Sequence, residues 1–184
     1  MKARILAVAA VLATLSAAHA ENRIALGALA PGMSQAEIQR VFPGATLKCL
    51  DVKGKTVCGY SMAAENTQPL AGERVQRWDL ILDDENNLDF VMAQLGSSSF
   101  DRLTRDFGQR YGAPVETRED EKGERVRMAW DGGDTAMAVM RMPKGQTLAV
   151  LTSHRRLETF VNNVQGIEGV RPARNSAPAP TDRR

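Results

Sequence analysis

Two cysteines on either side of a short turn constrain the fold more than any other feature of the sequence. Cys49 and Cys58 flank Lys53-Gly54, which we take as the two-residue loop of a β-hairpin. The cross-strand pairs are then Val52–Lys55, Asp51–Thr56, Leu50–Val57 and Cys49–Cys58. Because hydrogen-bonded and non-hydrogen-bonded pairs alternate outward from the loop, the cysteines form a non-hydrogen-bonded pair with Cα atoms about 4.5 Å apart. A disulfide accepts about 4.4–6.8 Å, so this register predicts a Cys49–Cys58 disulfide.

Two free thiols and a metal-binding pair are the alternatives to that disulfide. Two cysteines without nearby histidines make a poor zinc site. The choice between thiols and a disulfide depends on the compartment, because disulfides persist in oxidising surroundings.

Residues 1–20 have the pattern of a signal peptide. Lys2 and Arg4 precede an apolar stretch at residues 5–15, and Ala18-His19-Ala20 is an A-x-A cleavage site. The apolar stretch is short for a membrane span, and a retained anchor is the alternative interpretation. No cysteine follows the stretch as a lipid attachment point. We therefore predict that the mature chain starts at Glu21 and is periplasmic or secreted. In such an oxidising compartment the disulfide is favoured over free thiols.

The charge balance gives no support to nucleic-acid binding. The chain has 24 basic and 22 acidic residues, and two of the basic ones, Lys2 and Arg4, lie in the signal peptide. The mature chain is therefore electrically balanced, whereas nucleic-acid-binding domains carry clustered basic charge. No apolar segment after residue 20 is long enough to span a bilayer, so we predict no membrane span.

Helix and strand patterns occur twice in the same order. Ser34 and Glu37 have the spacing of a capping box, and the helix they begin ends at Pro43-Gly44. Its apolar residues Ile38, Val41 and Phe42 share one face. After the cysteine hairpin, residues 74–82 and 88–92 alternate as a second hairpin, with Trp78, Leu80 and Leu82 on one face.

The second half repeats the pattern of a helix followed by strands. An apolar stripe at helical spacing comprises Phe100, Leu103, Phe107 and Tyr111. Strand patterns follow at residues 125–130, 135–142 and 147–152, with a short additional strand at 115–118 and a short helix at 154–164.

These patterns predict an α+β fold of two helix-plus-antiparallel-sheet modules, α-β-β-β-β and then α-β-β-β with a short fourth strand. Residues 21–96 form the first module with the disulfide hairpin, and residues 97–164 form the second. Residues 165–184 are rich in Pro, Ala and Arg and predict a disordered tail.

Residues 32–95 resemble the small outer-membrane assembly lipoprotein domain of the SmpA/BamE type. The matching features are Gly32-Met33-Ser34, Glu37-Ile38, the Gly44 stop, and a terminal hairpin made of Trp78–Leu82, Asp83-Asp84 and the strand from Leu88 onward. Two such modules in tandem, with a disulfide in the first hairpin, are similar to the β-lactamase inhibitor protein family. The resemblance is one of fold, and together with the signal peptide, the disulfide and the lack of a catalytic constellation it favours a binding module without catalysis. The chain differs by lacking a lipobox cysteine and a second-module disulfide.

Few residues are candidates for catalysis or cation binding. His154 is the one histidine of the mature chain and no G-x-S-x-G motif is present, so an exposed or capping histidine is favoured over a triad member. Four acidic residues lie close together in the sequence: Asp83, Asp84, Glu85 and Asp89. They lack the spacing of a calcium-binding loop, so a solvated turn is favoured over a calcium site. Residues 131–134, with Asp131 and Asp134 around two glycines, likewise indicate a turn.

Four methionines are concentrated in the last strands: Met128, Met137, Met140 and Met142. Core filling is the favoured interpretation. A copper(I) site and a soft peptide-binding surface are the alternatives.

The sequence thus predicts an exported, non-catalytic binding or structural module of the bacterial envelope, with an unidentified envelope protein as its partner. We assign no catalytic, cofactor-binding or metal-binding residue and no lipid anchor; the assigned pair is the Cys49–Cys58 disulfide. A periplasmic carboxylate-based hydrolase and a methionine-based metal-binding protein are the alternative functions.

Overall fold

The computed structural model describes residues 24–52, 54–63, 68–153, 156–158 and 160. The named elements are α1 Gln35–Val41, β1 Lys48–Val52, β2 Lys55–Ala63, β3 Val75–Leu82, β4 Leu88–Leu95, α2 Ser99–Tyr111, β5 Glu116–Glu119, β6 Arg125–Asp131, β7 Thr135–Arg141 and β8 Thr147–Ser153. Residues 156–158 and 160 are also helical, within the helix predicted at 154–164. The predicted signal peptide, the predicted tail and His154 lie outside the described residues.

The strands form one eight-stranded antiparallel sheet in the order β1-β2-β3-β4-β8-β7-β6-β5. The prediction of two helix-plus-antiparallel-sheet modules is therefore wrong. The sheet is continuous because β4 pairs with β8, from Phe90 opposite Thr152 to Leu95 opposite Thr147. Both strands are largely buried, and an exposed apolar edge on either would favour aggregation, so their pairing removes two unfavourable edges at once.

Helices α1 and α2 cover the same face of this sheet, which we call the helix face. On it, α1 contributes Ile38, and Phe42 at its C-terminal cap lies 5.9 Å from Trp78 of β3, measured between ring centroids. From α2, Phe107 lies 5.8 Å from Trp130 of β6 in an edge-to-face arrangement. One buried cluster includes residues from both halves of the chain, so the hydrophobic core is continuous across the β4–β8 junction.

The capping box predicted for α1 is present. The backbone amide and the hydroxyl of Ser34 both donate to a carboxylate oxygen of Glu37, each at 2.8 Å. These hydrogen bonds lower the pKa of Glu37, with the bond from the backbone amide having the larger effect. The α1 start is thus defined by local chemistry, as the sequence indicates.

The opposite face of the sheet is partly covered as well. A second buried cluster contains small residues of the central strands, such as Ala129 and Ala138, together with Val150. Leu157 is buried in this cluster, and Phe160 lies 5.4 Å from Phe90 between ring centroids. The central strands are therefore buried on both faces. The exposed residues of the sheet lie mainly on its end strands, β1 and β5.

No helix in the described part of the chain is long and apolar enough to cross a membrane.

Candidate functional site

The disulfide-linked hairpin of β1 and β2 forms the clearest candidate site. All four predicted cross-strand pairs are confirmed, including Cys49 opposite Cys58. The two cysteines form a disulfide with their Cα atoms 4.0 Å apart, so the prediction of a disulfide is confirmed. Their Cα separation lies nearer the roughly 4.5 Å of a non-hydrogen-bonded pair than the roughly 5.5 Å of a hydrogen-bonded one.

That pairing determines which backbone groups of β1 point out of the sheet. Since the cysteine pair is non-hydrogen-bonded, the alternate pair Leu50–Val57 carries the hydrogen bonds to β2. The amide and carbonyl groups of Cys49 and Asp51 therefore point away from β2. β1 is the end strand of the sheet as the described strands form it, and each of its five residues is exposed. Cys49 and Asp51 thus offer two donors and two acceptors at an open edge.

The side chains of β1 alternate between the two faces of the sheet. Leu50 and Val52 share one face, where Leu50 is 69 % exposed and Val52 is 50 % exposed. Val57, half-buried on β2, lies directly opposite Leu50. We call these three side chains, together with the outward backbone groups of Cys49 and Asp51, the hairpin surface. It is an apolar patch on a covalently linked strand pair.

The opposite edge of the sheet, β5, differs in chemistry. It carries Glu116, whose carboxylate forms ion pairs with Arg118 of the same strand and, at 3.2 Å, with the buried Arg127 of β6. A register shift also interrupts the β5–β6 pairing between Arg118 and Glu119. Charges and irregular register are the usual means by which proteins keep an edge strand from pairing. β5 has both, whereas β1 presents regular register and exposed apolar side chains.

Gly59 fixes the base of the hairpin on the sheet. It lies where β2 begins to pair with β3, opposite Ile81. A Cβ atom at this position would lie 2.1 Å from the carbonyl oxygen of Leu80, so a side chain does not fit without a backbone shift. The glycine therefore permits a close strand approach, which holds the projecting hairpin in a defined direction.

The hairpin is basic. In sequence, residues 48–58 contain three lysines and one aspartate. The aspartate, Asp51, accepts a hydrogen bond of 2.9 Å from the hydroxyl of Thr56, directly opposite on β2. Lys48 and Lys55 are exposed. A ligand at this surface therefore meets apolar side chains within a positive electrostatic environment.

Of the acidic residues singled out in the sequence, Asp83, Asp84 and Glu85 lie in the connection between β3 and β4, whereas Asp89 lies in β4. Asp83 accepts hydrogen bonds from the amides of Glu85 and Asn87, at 3.0 and 2.8 Å, which is a side-chain-stabilised turn. Asp89 forms an ion pair with Arg156. Within the described ranges no group of three or more His, Cys, Asp or Glu residues could hold a metal ion.

The glycine turn at residues 131–134 behaves in the same way. The carboxylate of Asp131 accepts a hydrogen bond of 2.8 Å from the amide of Gly133. The structure thus uses this aspartate within the β6–β7 connection.

The four methionines do not come together. Met128 and Met137 lie on the helix face in the main buried cluster. Met140 and Met142 belong to the cluster on the opposite face. The sheet therefore separates the residues that a common copper(I) site would need.

Two further ionisable groups are perturbed by burial, and both lie away from the hairpin surface. Burial lowers the pKa of Arg127, an effect that the charge of Glu116 opposes. Burial raises the pKa of Tyr60, which lies in the core on the helix face. Their positions assign them to the interior of the sheet structure.

The sequence located the disulfide but not the exposed edge around it. The alternation of Lys48, Leu50 and Val52 with Cys49 and Asp51 is visible in the sequence. It predicts a strand in which one face carries a lysine beside two apolar side chains. Whether another strand covers that face depends on pairing across the whole sheet, which alternation does not specify.

We expect the disulfide to be complete and stabilising in the native protein. Alkylation before reduction should add no mass, and alkylation after reduction should modify two cysteines. Replacing both Cys49 and Cys58 by serine should lower the free energy of unfolding by roughly 2–3 kcal/mol in urea, because the bond closes a loop of about ten residues. Two alkylated cysteines in the unreduced native protein would contradict this expectation.

In comparisons with known proteins, no family model, no curated protein and no solved structure matches this chain. The resemblance to the SmpA/BamE-type domain and to the β-lactamase inhibitor protein family stays a prediction from short motifs.

Proposed function

We propose that this chain is an exported, non-catalytic protein-binding module of the bacterial envelope, and that it binds its partner through the hairpin surface. The observation that carries the proposal is the exposure of Leu50 and Val52, side by side on one face of an end strand that a disulfide holds in place. Exposed apolar side chains that form a contiguous patch mark protein interaction sites.

The rigidity of this surface favours binding. The disulfide links β1 to β2, and Gly59 seats β2 closely on β3. A surface that is already ordered loses little conformational entropy on association, so more of the contact energy appears as affinity. The signal-peptide pattern of residues 1–20 and the disulfide support an oxidising compartment.

The two alternative functions receive less support from the described residues. Glu116 is held between arginines at an edge of the sheet, and the other acidic groups named above serve turns or ion pairs. The methionines are divided between the two faces. The exposed residues of the hairpin surface therefore support protein binding more than they support either alternative.

Site-specific photo-crosslinking tests the proposal with a matched control. Val115 is 69 % exposed, as Leu50 is, and it precedes β5 at the opposite edge of the sheet. We expect a benzophenone amino acid at position 50 to give one discrete crosslinked protein in cells that produce the chain, and the same group at position 115 to give none. Equal crosslinking at both positions, or none at position 50, would count against the hairpin surface.

Affinity measurements with the identified partner then quantify the surface. Leu50→Ser and Val52→Ser should each weaken binding by about tenfold, which corresponds to roughly 1.4 kcal/mol. Val115→Ser should leave the dissociation constant unchanged. Isothermal titration calorimetry with the oxidised proteins provides the measurement.

A further inference from the structure

We infer that the partner of the hairpin surface is an extended, acidic segment of another protein, which adds a ninth strand to the sheet along β1. This inference rests on the proposed function, because it specifies how the same surface is occupied. Strand addition to an exposed sheet edge is a general mode of peptide recognition, in which backbone hydrogen bonds supply affinity and alternate side chains supply specificity.

The backbone of β1 is arranged to pair with a further strand. The outward amide and carbonyl groups of Cys49 and Asp51 are two residues apart, which is the repeat of a β ladder. An incoming strand can therefore form hydrogen bonds with both residues while β1 keeps its own bonds to β2. The disulfide starts from Cys49 itself, so one of the two pairing residues is covalently held in register.

The side chains of β1 leave apolar surface for an incoming strand to cover. Leu50 lies between Cys49 and Asp51 in sequence and projects from one face, with Val52 following on that face. A strand paired to β1 would place its own alternate residues beside these two. Apolar residues at those positions of the partner would cover surface that is now exposed, which is favourable by the hydrophobic effect.

The charge of the hairpin distinguishes two occupants of this edge, an acidic segment of another protein and a second copy of this chain. Three lysines and one aspartate between residues 48 and 58 attract a segment that carries Asp or Glu beside its apolar residues. A second copy of this chain would bring the same net positive charge to the same edge, and the two would repel. The observations therefore favour a different, acidic protein over self-association.

Position 51 offers a substitution that separates backbone pairing from side-chain contact. Asp51→Pro removes the outward amide and keeps the inward hydrogen bonds of β1, since proline is tolerated on edge strands when its nitrogen faces solvent. Asp51→Ala is the matched control, because it removes the same carboxylate and its bond to Thr56 but keeps the amide. Equal urea midpoints for the two variants establish that both are folded.

The probe is a random nonapeptide library, displayed on phage and selected on the immobilised, oxidised protein. We expect enriched peptides with alternate apolar residues and at least one acidic residue. Their binding should fall by about tenfold or more with Asp51→Pro and by about twofold or less with Asp51→Ala. In the unsubstituted protein, a bound peptide should slow hydrogen exchange at the amides of Cys49 and Asp51, which is a test independent of any variant.

The outcomes distinguish this inference from the proposed function. Peptides that lose binding with Leu50→Ser but bind Asp51→Pro normally would overturn strand addition and leave the hairpin surface intact. Peptides indifferent to both positions, or no enriched peptides, would overturn both. A dimer of the free protein in sedimentation experiments, lost with Asp51→Pro, would show that the occupant of the edge is a second copy and would overturn the acidic partner.

Discussion

Replacing Phe107 by alanine should lower the free energy of unfolding by about 3–5 kcal/mol, and both halves of the sheet should lose stability together. Phe107 is buried on α2 and contacts Tyr111 and Trp130, so truncation leaves a cavity within the main core cluster. Because that cluster is continuous and β4 is paired with β8, the loss should be shared by the whole sheet.

The two tryptophans of the chain make this test local. Trp78 lies on β3 in the first half, and Trp130 lies on β6 in the second. Trp130→Phe leaves Trp78 as the only reporter, and Trp78→Phe leaves Trp130. We expect Phe107→Ala to lower the urea midpoint in both backgrounds. The size of the loss can differ with Trp130→Phe, because that substitution changes the ring that Phe107 contacts. A shift seen by Trp130 alone would show two independently unfolding units.

Phe42→Ala is the matched variant in the first half, since Phe42 contacts Trp78 and is buried to a similar degree. We expect a loss of about 3–5 kcal/mol here as well. No ring contact joins Phe42 to Phe107 among the described aromatic pairs, so the two losses should add within about 0.5 kcal/mol. If the two losses of unfolding free energy add, and Trp78 and Trp130 report the same urea midpoint, the chain has one cooperative core in which Phe42 and Phe107 are not in contact.

Gly59→Ala should lower the free energy of unfolding by about 2–3 kcal/mol, near the upper end of the range for overpacking. The added methyl group would meet the Leu80 carbonyl oxygen at 2.1 Å, and that atom belongs to the backbone, so β2 and β3 must move apart. Urea unfolding measures the loss. Binding at the hairpin surface should weaken as well, because the direction of the hairpin depends on this contact.

Gly108→Ala is the control for the change of residue type. Gly108 lies inside α2, and a Cβ atom there would meet nothing within 4 Å. Alanine is favoured over glycine in a helix by about 1 kcal/mol, so this variant should be more stable than the unsubstituted protein. Equal effects from both substitutions would contradict a specific role for the close approach at Gly59.

The parts of the structure that follow from the sequence are those determined over short distances along the chain. The register of the cysteine hairpin depends on a loop between Val52 and Lys55, and Cys49 and Cys58 are only nine positions apart. The faces of β3 follow from alternation, which correctly places Trp78 and Leu80 in the core. In each case, neighbouring residues carry enough information.

The joining of the two halves could not be predicted in the same way. Phe90 and Thr152 are paired although about sixty residues separate them, and alternation does not say which distant edge a strand will meet. A signal was nevertheless present in Ala149-Val150-Leu151. A continuous apolar run of this kind is typical of a strand that is buried on both faces, and therefore of a strand in the interior of a sheet that is covered on both sides.

The central position of β8 determines when the sheet can be completed. β8 is the last named strand in the sequence, yet it lies between β4 and β7. Until residues 147–153 are available, β4 and β7 each end a separate half-sheet with an unpaired apolar edge. Because closing the sheet requires contacts between distant parts of the chain, folding should be slow relative to that of a helical protein of equal length. Chains truncated before β8 should consequently aggregate, whereas in the full-length chain β8 pairs with both edges and covers them.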